Sequence, residues 1–195
     1  FDNFLNMIFF IEIANFYPYI ASNTQGVYLK IMTIKINYKN SGLKKPSSNL
    51  VLFVDEKFST SNLKKHLSSP ELSYINDLLK TCDLKKNLLV FEVNSKKKII
   101  LISIKENLET TDVENLGAEF YTYINYGNKG QFTINADSIN AKSGKDFIGI
   151  FLHGLKLKSY EFNIYKSKKE KKLFLVNVFH KKSELTVKNR LKFKA

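Results

Sequence analysis

Apolar residues cluster in short runs along this chain of 195 residues, and from residue 32 onward those runs alternate with stretches of helical period. Strand-like runs fall at 33–38, 50–54, 87–93, 98–104, 131–135 and 172–179. Most are continuous apolar blocks, not strict alternations, as expected of strands covered on both faces. Three helical segments lie between them. Ser69 before Pro70 reads as an N-cap with proline at the first helical position, and Leu72, Ile75 and Leu79 then line one face up to about Thr81. Thr111 and Glu114 have capping-box spacing, with Val113, Gly117, Phe120 and Ile124 following on one stripe. Ser143 and Asp146 repeat that spacing before Ile148, Phe151, Leu152 and Leu155. The run Gly127-Asn128-Lys129-Gly130 ends the second helix and feeds the next strand. Ser183 is positioned to cap a last helix still running at Ala195. Alternating strands and helices predict one three-layer α/β domain with a mixed, mostly parallel sheet flanked by helices.

Residues 1–31 break the pattern. They carry only Asp2, Glu12 and Lys30, and the apolar run from Leu5 to Ile20 is interrupted by Asn6, Glu12, Asn15 and Pro18. A spanning helix needs about 20 mostly apolar residues, and a central glutamate costs about 2.5–3.5 kcal/mol. A secretory signal would open with positive charge, whereas Asp2 is the only charge before the run. Residues 1–31 therefore read as a poorly defined apolar leader that need not be native, with Met32 as the natural start. The expected organisation is a leader at 1–31, an α/β domain at 32–182 and the start of a linking helix at 183–195. The competing reading of the leader is a membrane tether; no membrane partner is expected.

Composition narrows the class. An apolar content of 44% is enough for a core and excludes wholesale disorder. The single cysteine, Cys82, excludes a disulfide framework and a Cys-built zinc site, which fits a reducing compartment or a protein that does not need staples. The net charge of +13 invites a nucleic-acid reading. However, Arg190 is the only arginine among 31 basic residues, and arginine is the side chain suited to bidentate phosphate contacts. Abundant Asn, Ile, Phe and Tyr point to an A/T-rich gene, which generates lysines without an anionic partner.

Motifs that carry chemistry are sparse in this chain. Gly149 and Gly154 have phosphate-loop spacing, but Leu155 and Lys156 follow where Lys and Ser/Thr belong. His66, His153 and His180 sit in unrelated segments without metal-ligand spacing. Cys82 has no histidine near it in sequence and reads as a small apolar residue. The pair Asp55-Glu56 follows a strand, where an α/β domain can place a ligand, yet it reads as a solvated loop. Glu106, Glu109, Asp112 and Glu114 bracket a helix start, where acids favour the macrodipole. Residues 156–195 hold 13 basic and 3 acidic residues interleaved with Tyr160, Phe162, Tyr165, Phe174 and Phe179, a footprint that single-stranded nucleic acid can use.

One stretch is more specific. From Gly154 the chain reads Gly-Leu-Lys-Leu-Lys-Ser-Tyr-Glu-Phe-Asn-Ile-Tyr-Lys. Through Gly154, Leu155, Leu157, Ser159, Tyr160, Phe162, Tyr165 and Lys166 it resembles the motif near the end of the N-terminal domain of the leucyl (cytosol) aminopeptidases. The order of elements before it is also similar. Lys156 and Lys158 stand where that family often has arginine, and the loop Lys105-Glu106-Asn107 lacks the glycine common there.

The resemblance implies a macro-domain-like fold and a non-catalytic N-terminal domain, here a fragment. The parent would be a cytoplasmic two-metal exopeptidase, a peptide hydrolase of proteolysis that uses zinc or manganese and assembles as a homo-oligomer, a hexamer. The family's metal ligands lie in its C-terminal domain, in the signature Asn-Thr-Asp-Ala-Glu-Gly-Arg-Leu. This chain lacks that signature; Asn135-Ala136-Asp137 is a superficial echo. No catalytic or metal-binding residue is therefore expected here, and no cofactor in this chain. The eight motif residues are expected to be structural, with Gly154 allowing close approach and the tyrosine and phenylalanine rings buried. The alternative is a basic α/β module that binds nucleic acid or a nucleotide.

Overall fold

The two central strands carry apolar residues on both faces, and each face finds its own cover. The computed structural model describes residues 34–39, 49–126, 131–139, 146–160 and 174–180. Six strands form one sheet: β1 (Ile34–Lys39), β2 (Asn49–Asp55), β3 (Leu88–Asn94), β4 (Lys97–Ile104), β5 (Gln131–Asn135) and β6 (Phe174–Phe179). Their spatial order is β1-β6-β5-β2-β4-β3. Every neighbouring pair is parallel except the β3–β4 hairpin, which is antiparallel. The fold class expected from the alternation is therefore the one observed, a mixed α/β sheet flanked by helices.

Three helices cover the sheet: α1 (Ser69–Leu79), α2 (Thr110–Asn125) and α3 (Phe147–Lys158). On one face, Val51 and Phe53 of β2 and Ile100 and Ile102 of β4 meet α2 and α3 through Phe120, Ile124, Phe151 and Leu155. On the other face, Leu50, Leu52, Ile99 and Leu101 meet Ile75 of α1 and Leu63 of a 3-10 turn at Ser61–Lys65. Burial on both sides explains why these strands read as solid apolar blocks. Five phenylalanines lock the first face: Phe53 meets Phe147 and Phe151 edge-on, with centroids 5.4 and 5.3 Å apart, and Phe120 meets Phe132 edge-on at 5.8 Å.

Helices α2 and α3 cross through glycine. A Cβ on Gly117 would stand 2.0 Å from the Phe151 carbonyl oxygen, and one on Gly154 2.0 Å from that of Glu114. Backbone meets backbone there, so only glycine fits.

Helix starts differ from expectation by one to three residues. The cap of α1 is Ser68, not Ser69, because Glu71 reaches back to accept the Ser68 N–H at 3.0 Å and its hydroxyl at 2.8 Å. The cap of α2 is Glu109, whose N–H donates to Asp112 at 3.1 Å, so Thr111 lies inside the first turn. Glu114 is not the box partner; it bonds His153 of α3 at 2.8 Å. Asp146 is itself the residue before α3; Ser143 lies outside the described residues. So do the leader at 1–31, the turn at 127–130 and the linking helix at 183–195.

Candidate functional site

Strand β2 leaves the sheet towards α1 on one face, and its neighbour β4 leaves towards α2 on the other. Adjacent strands whose exits diverge leave a crevice at their carboxyl ends, the place where open α/β sheets take ligands. A cavity of about 460 Å³ occupies that position, within the ~300–1,000 Å³ typical of small-molecule sites. One wall is the β2 exit with Asp55, Ser59 and Asn62, and the other is the β4 exit with Lys105, Glu106 and Asn107. Phe53, Val113 and Phe147 add apolar surface, and Ser138 follows β5.

Both walls are held in unusual backbone conformations. The Asp55 carboxylate accepts N–H bonds from Lys57 at 3.1 Å and Ser59 at 2.9 Å, and its carbonyl accepts one from Phe58 at 3.0 Å. The tight turn puts Phe58 at φ +54°, a region bulky residues avoid. Its ring, 2% exposed in the second core, anchors the turn. Thr60 ties the same loop to α1 through Asn76 at 2.7 Å. Across the cavity, Asn107 has φ +60°. Asparagine is among the L-residues that tolerate this region best, so it supplies the turn without the glycine missing from this loop.

The third side rests on a polar cluster. The Ser138 hydroxyl accepts the Phe53 N–H at 2.8 Å and donates to the Asn135 carbonyl at 2.7 Å. The Asn135 amide donates to His66 Nδ1 at 2.8 Å, and Asp137 pairs with His180 at 3.2 Å. Two histidines distant in sequence thus flank one short turn, Ala136–Ser138; their convergence had no sequence signal, because the pairing of β5 with β2 on one side and β6 on the other creates it. His153 stays apart on α3.

Of the other sequence candidates, Asp55 reaches the cavity and Glu106 joins it from the opposite wall, a convergence missed when Asp55-Glu56 read as a solvated loop. Cys82 is half-buried against the second core. Gly149 and Gly154 are both helical, so no phosphate loop exists there. Within the motif, Gly154 sits at the helix crossing, Leu155 is fully buried, and Ser159 is fully buried with its hydroxyl donating to Lys156 O at 2.6 Å. Leu157 is 50% exposed and Tyr160 43% exposed, so the Tyr160 ring is not buried as expected. Phe162, Tyr165 and Lys166 lie outside the described residues.

Charge perturbation falls away from the cavity. Burial pushes the Glu71 carboxyl up, but hydrogen bonds from Lys97 and Ser68 outweigh it and hold the pKa below the ordinary value. The hydrogen bond that Lys98 donates to Glu92 raises the Lys98 pKa, and burial raises that of Tyr123. Among the described residues, no group of three or more His, Cys, Asp or Glu side chains is arranged to hold a metal ion. Among the described residues, no helix is long and apolar enough to cross a membrane.

Strand order, helix placement and cavity together define an α/β fold of the macrodomain kind, which solved structures share. A tomato leucine aminopeptidase variant is similar over 88% of this chain at 15% identity, with a TM-score of 0.59. A macrodomain of Oceanobacillus iheyensis, solved with MES bound, is similar over 85% of this chain and 93% of its own, at 15% identity and a TM-score of 0.55. The macrodomain of Thermus aquaticus DarG matches 75% of this chain and 99% of its own, at 9% identity and a TM-score of 0.51. This chain spans 37% of the length of the tomato enzyme. No protein-family model matches the sequence, and no curated protein does.

Proposed function

We propose that this chain is the non-catalytic N-terminal domain of a leucyl aminopeptidase-like two-metal exopeptidase. The observation that carries the reading is Gly154: the glycine that opens the family-like motif stands at a backbone-to-backbone helix crossing where no side chain fits. A likeness in fold to a leucine aminopeptidase over 88% of this chain supports it. In this reading 32–182 is the folded scaffold and 183–195 begins the link to a catalytic domain, which brings the metals, the peptide substrate and the contacts of a homo-oligomer. The scaffold by itself hydrolyses no peptide. Sequencing the transcript beyond the Ala195 codon tests this: an in-frame Asn-Thr-Asp-Ala-Glu-Gly-Arg-Leu signature supports it, and an immediate stop codon overturns it. Chelator-sensitive turnover of leucine p-nitroanilide by the 195-residue chain would overturn it as well.

The cavity favours a second reading, a small-ligand module of the kind that binds a nucleotide at strand ends. Titrating AMP into ¹⁵N-labelled protein tests it. Shifts confined to the amides around Asp55 and Lys105 support a nucleotide site, and their absence removes AMP as its ligand.

A further inference from the structure

The cavity lining carries one positive and two negative side chains: Asp55 on one wall, and Lys105 beside Glu106 on the other. Asp55 stands on the β2 exit and Lys105 on the β4 exit, both lining the same space. One carboxylate oxygen of Asp55 is taken by two backbone N–H groups, which fixes the side chain. Among the described residues, neither Asp55 nor Lys105 has an ion-pair partner, and they are not paired with each other. Asn62 and Asn107 add amides that both donate and accept, and the half-buried Ile104 and Leu108 add apolar surface.

From this we propose that the cavity takes a small zwitterion, a molecule with an ammonium and a carboxylate a few bonds apart, as in a free α-amino acid or dipeptide. The proposal rests on the ligand-binding reading of the cavity and names its chemistry. The ammonium donates to the free oxygen of Asp55. The carboxylate accepts from Lys105, and a short side chain lies against Ile104 and Leu108. A singly charged ligand satisfies one wall and leaves the other unmatched, which is how a site discriminates. A nucleotide brings phosphate to Lys105 but sets negative charge in the same space as Asp55 and Glu106.

The test is a titration of the ¹⁵N-labelled 195-residue chain with L-leucine, leucinamide, N-acetyl-leucine and AMP. Leucine is expected to shift the amides of 55–59 and 105–108, with leucinamide and N-acetyl-leucine binding about tenfold more weakly or worse, each having lost one charge-assisted bond. Asp55→Asn and Lys105→Gln are each expected to abolish the leucine response with the melting temperature unchanged, since both side chains are exposed and Asn keeps an acceptor for the two N–H groups. Equal binding of the singly charged analogues overturns the proposal. So does AMP shifting these amides when leucine, up to about 50 mM and far above a Kd of about 1 mM, does not; that result spares the ligand-binding reading. Silence towards all four probes overturns the zwitterion proposal and withdraws support from the ligand site itself.

Discussion

Replacing Gly154 with alanine sets two physical effects against each other, and the structure decides between them. In an open helix, Gly→Ala stabilises by about 1 kcal/mol through helix propensity. At Gly154 the added Cβ would lie 2.0 Å from the Glu114 carbonyl oxygen and 2.6 Å from the Glu114 Cα. An acceptable carbon–oxygen contact is about 3.3 Å, so α2 and α3 must separate by more than 1 Å, or tilt. No rotamer change relieves the clash, because both sides are backbone. Opening the crossing loosens Phe120, Phe151 and Leu155, which pack between the helices and the sheet. A gap of about 0.5–1 Å already forfeits a quarter to a half of each dispersion contact. Overpacking of this kind costs about 1–3 kcal/mol and occasionally more, and here it overrides the propensity gain. The expected net loss is about 2–4 kcal/mol.

Urea unfolding followed by circular dichroism measures it, with Lys158→Ala on the exposed side of α3 as a control expected to stay within about 0.5 kcal/mol of the parent. Gly117→Ala meets the reciprocal contact, 2.0 Å from the Phe151 carbonyl, and the double variant should lose less than the two single losses combined, because helices already separated accept the second methyl more easily. An alanine at 154 that leaves the unfolding midpoint unchanged, or raises it, refutes the tight crossing and with it the structural account of the motif.

Two further outcomes follow from particular contacts. Glu71 joins the α1 cap to Lys97 of β4, with both side chains more than four-fifths buried; Glu71→Gln should cost about 1–3 kcal/mol at neutral pH. Because its folded pKa lies below the ordinary value of 4.5, its contribution is present above the unfolded pKa and is lost as pH falls through the folded one. The parent and the variant should therefore converge in acid, and a gap that persists unchanged to pH 2 would contradict the ion pair. Asn107→Gly should be neutral or stabilising within about 1 kcal/mol, and Asn107→Val should lose about 1–2 kcal/mol, as a left-handed position requires; thermal melts that rank valine at or above glycine rule out that backbone.

The strands were legible because each depends on its own residues. A block such as Asn49–Asp55 is buried at every position but the last, and a solid apolar run of that length has few other folds open to it. Helix starts were less legible because the choice of cap was made at a distance. Ser68 is the cap in place of Ser69, with Glu71 steadied by Lys97 from a strand 26 positions away, while at α2 Asp112 closes the box on Glu109 and Glu114 bonds His153 on the facing helix. Local spacing finds the turn in which a helix begins, and tertiary partners select the residue.

The candidate site had little local signature beyond the Asp55-Glu56 pair at a strand end. Asp55 ends β2, Lys105 follows β4 and Ser138 follows β5, and they meet because β4 and β5 both lie beside β2. That order is enforced by apolar faces. Val51 and Phe53 of β2, Ile100 and Ile102 of β4 and Phe132 and Ile134 of β5 share one core beneath α2 and α3, and slipping any strand by one residue would turn its apolar set away from that core. The polar residues at the strand ends are thus positioned by apolar residues that never touch the cavity. Changes to the Phe53–Phe147–Phe151 cluster should reshape the site as a whole, whereas changes at Asp55 or Lys105 should alter its preference and leave its shape. The cavity's chemistry can therefore vary independently of its scaffold.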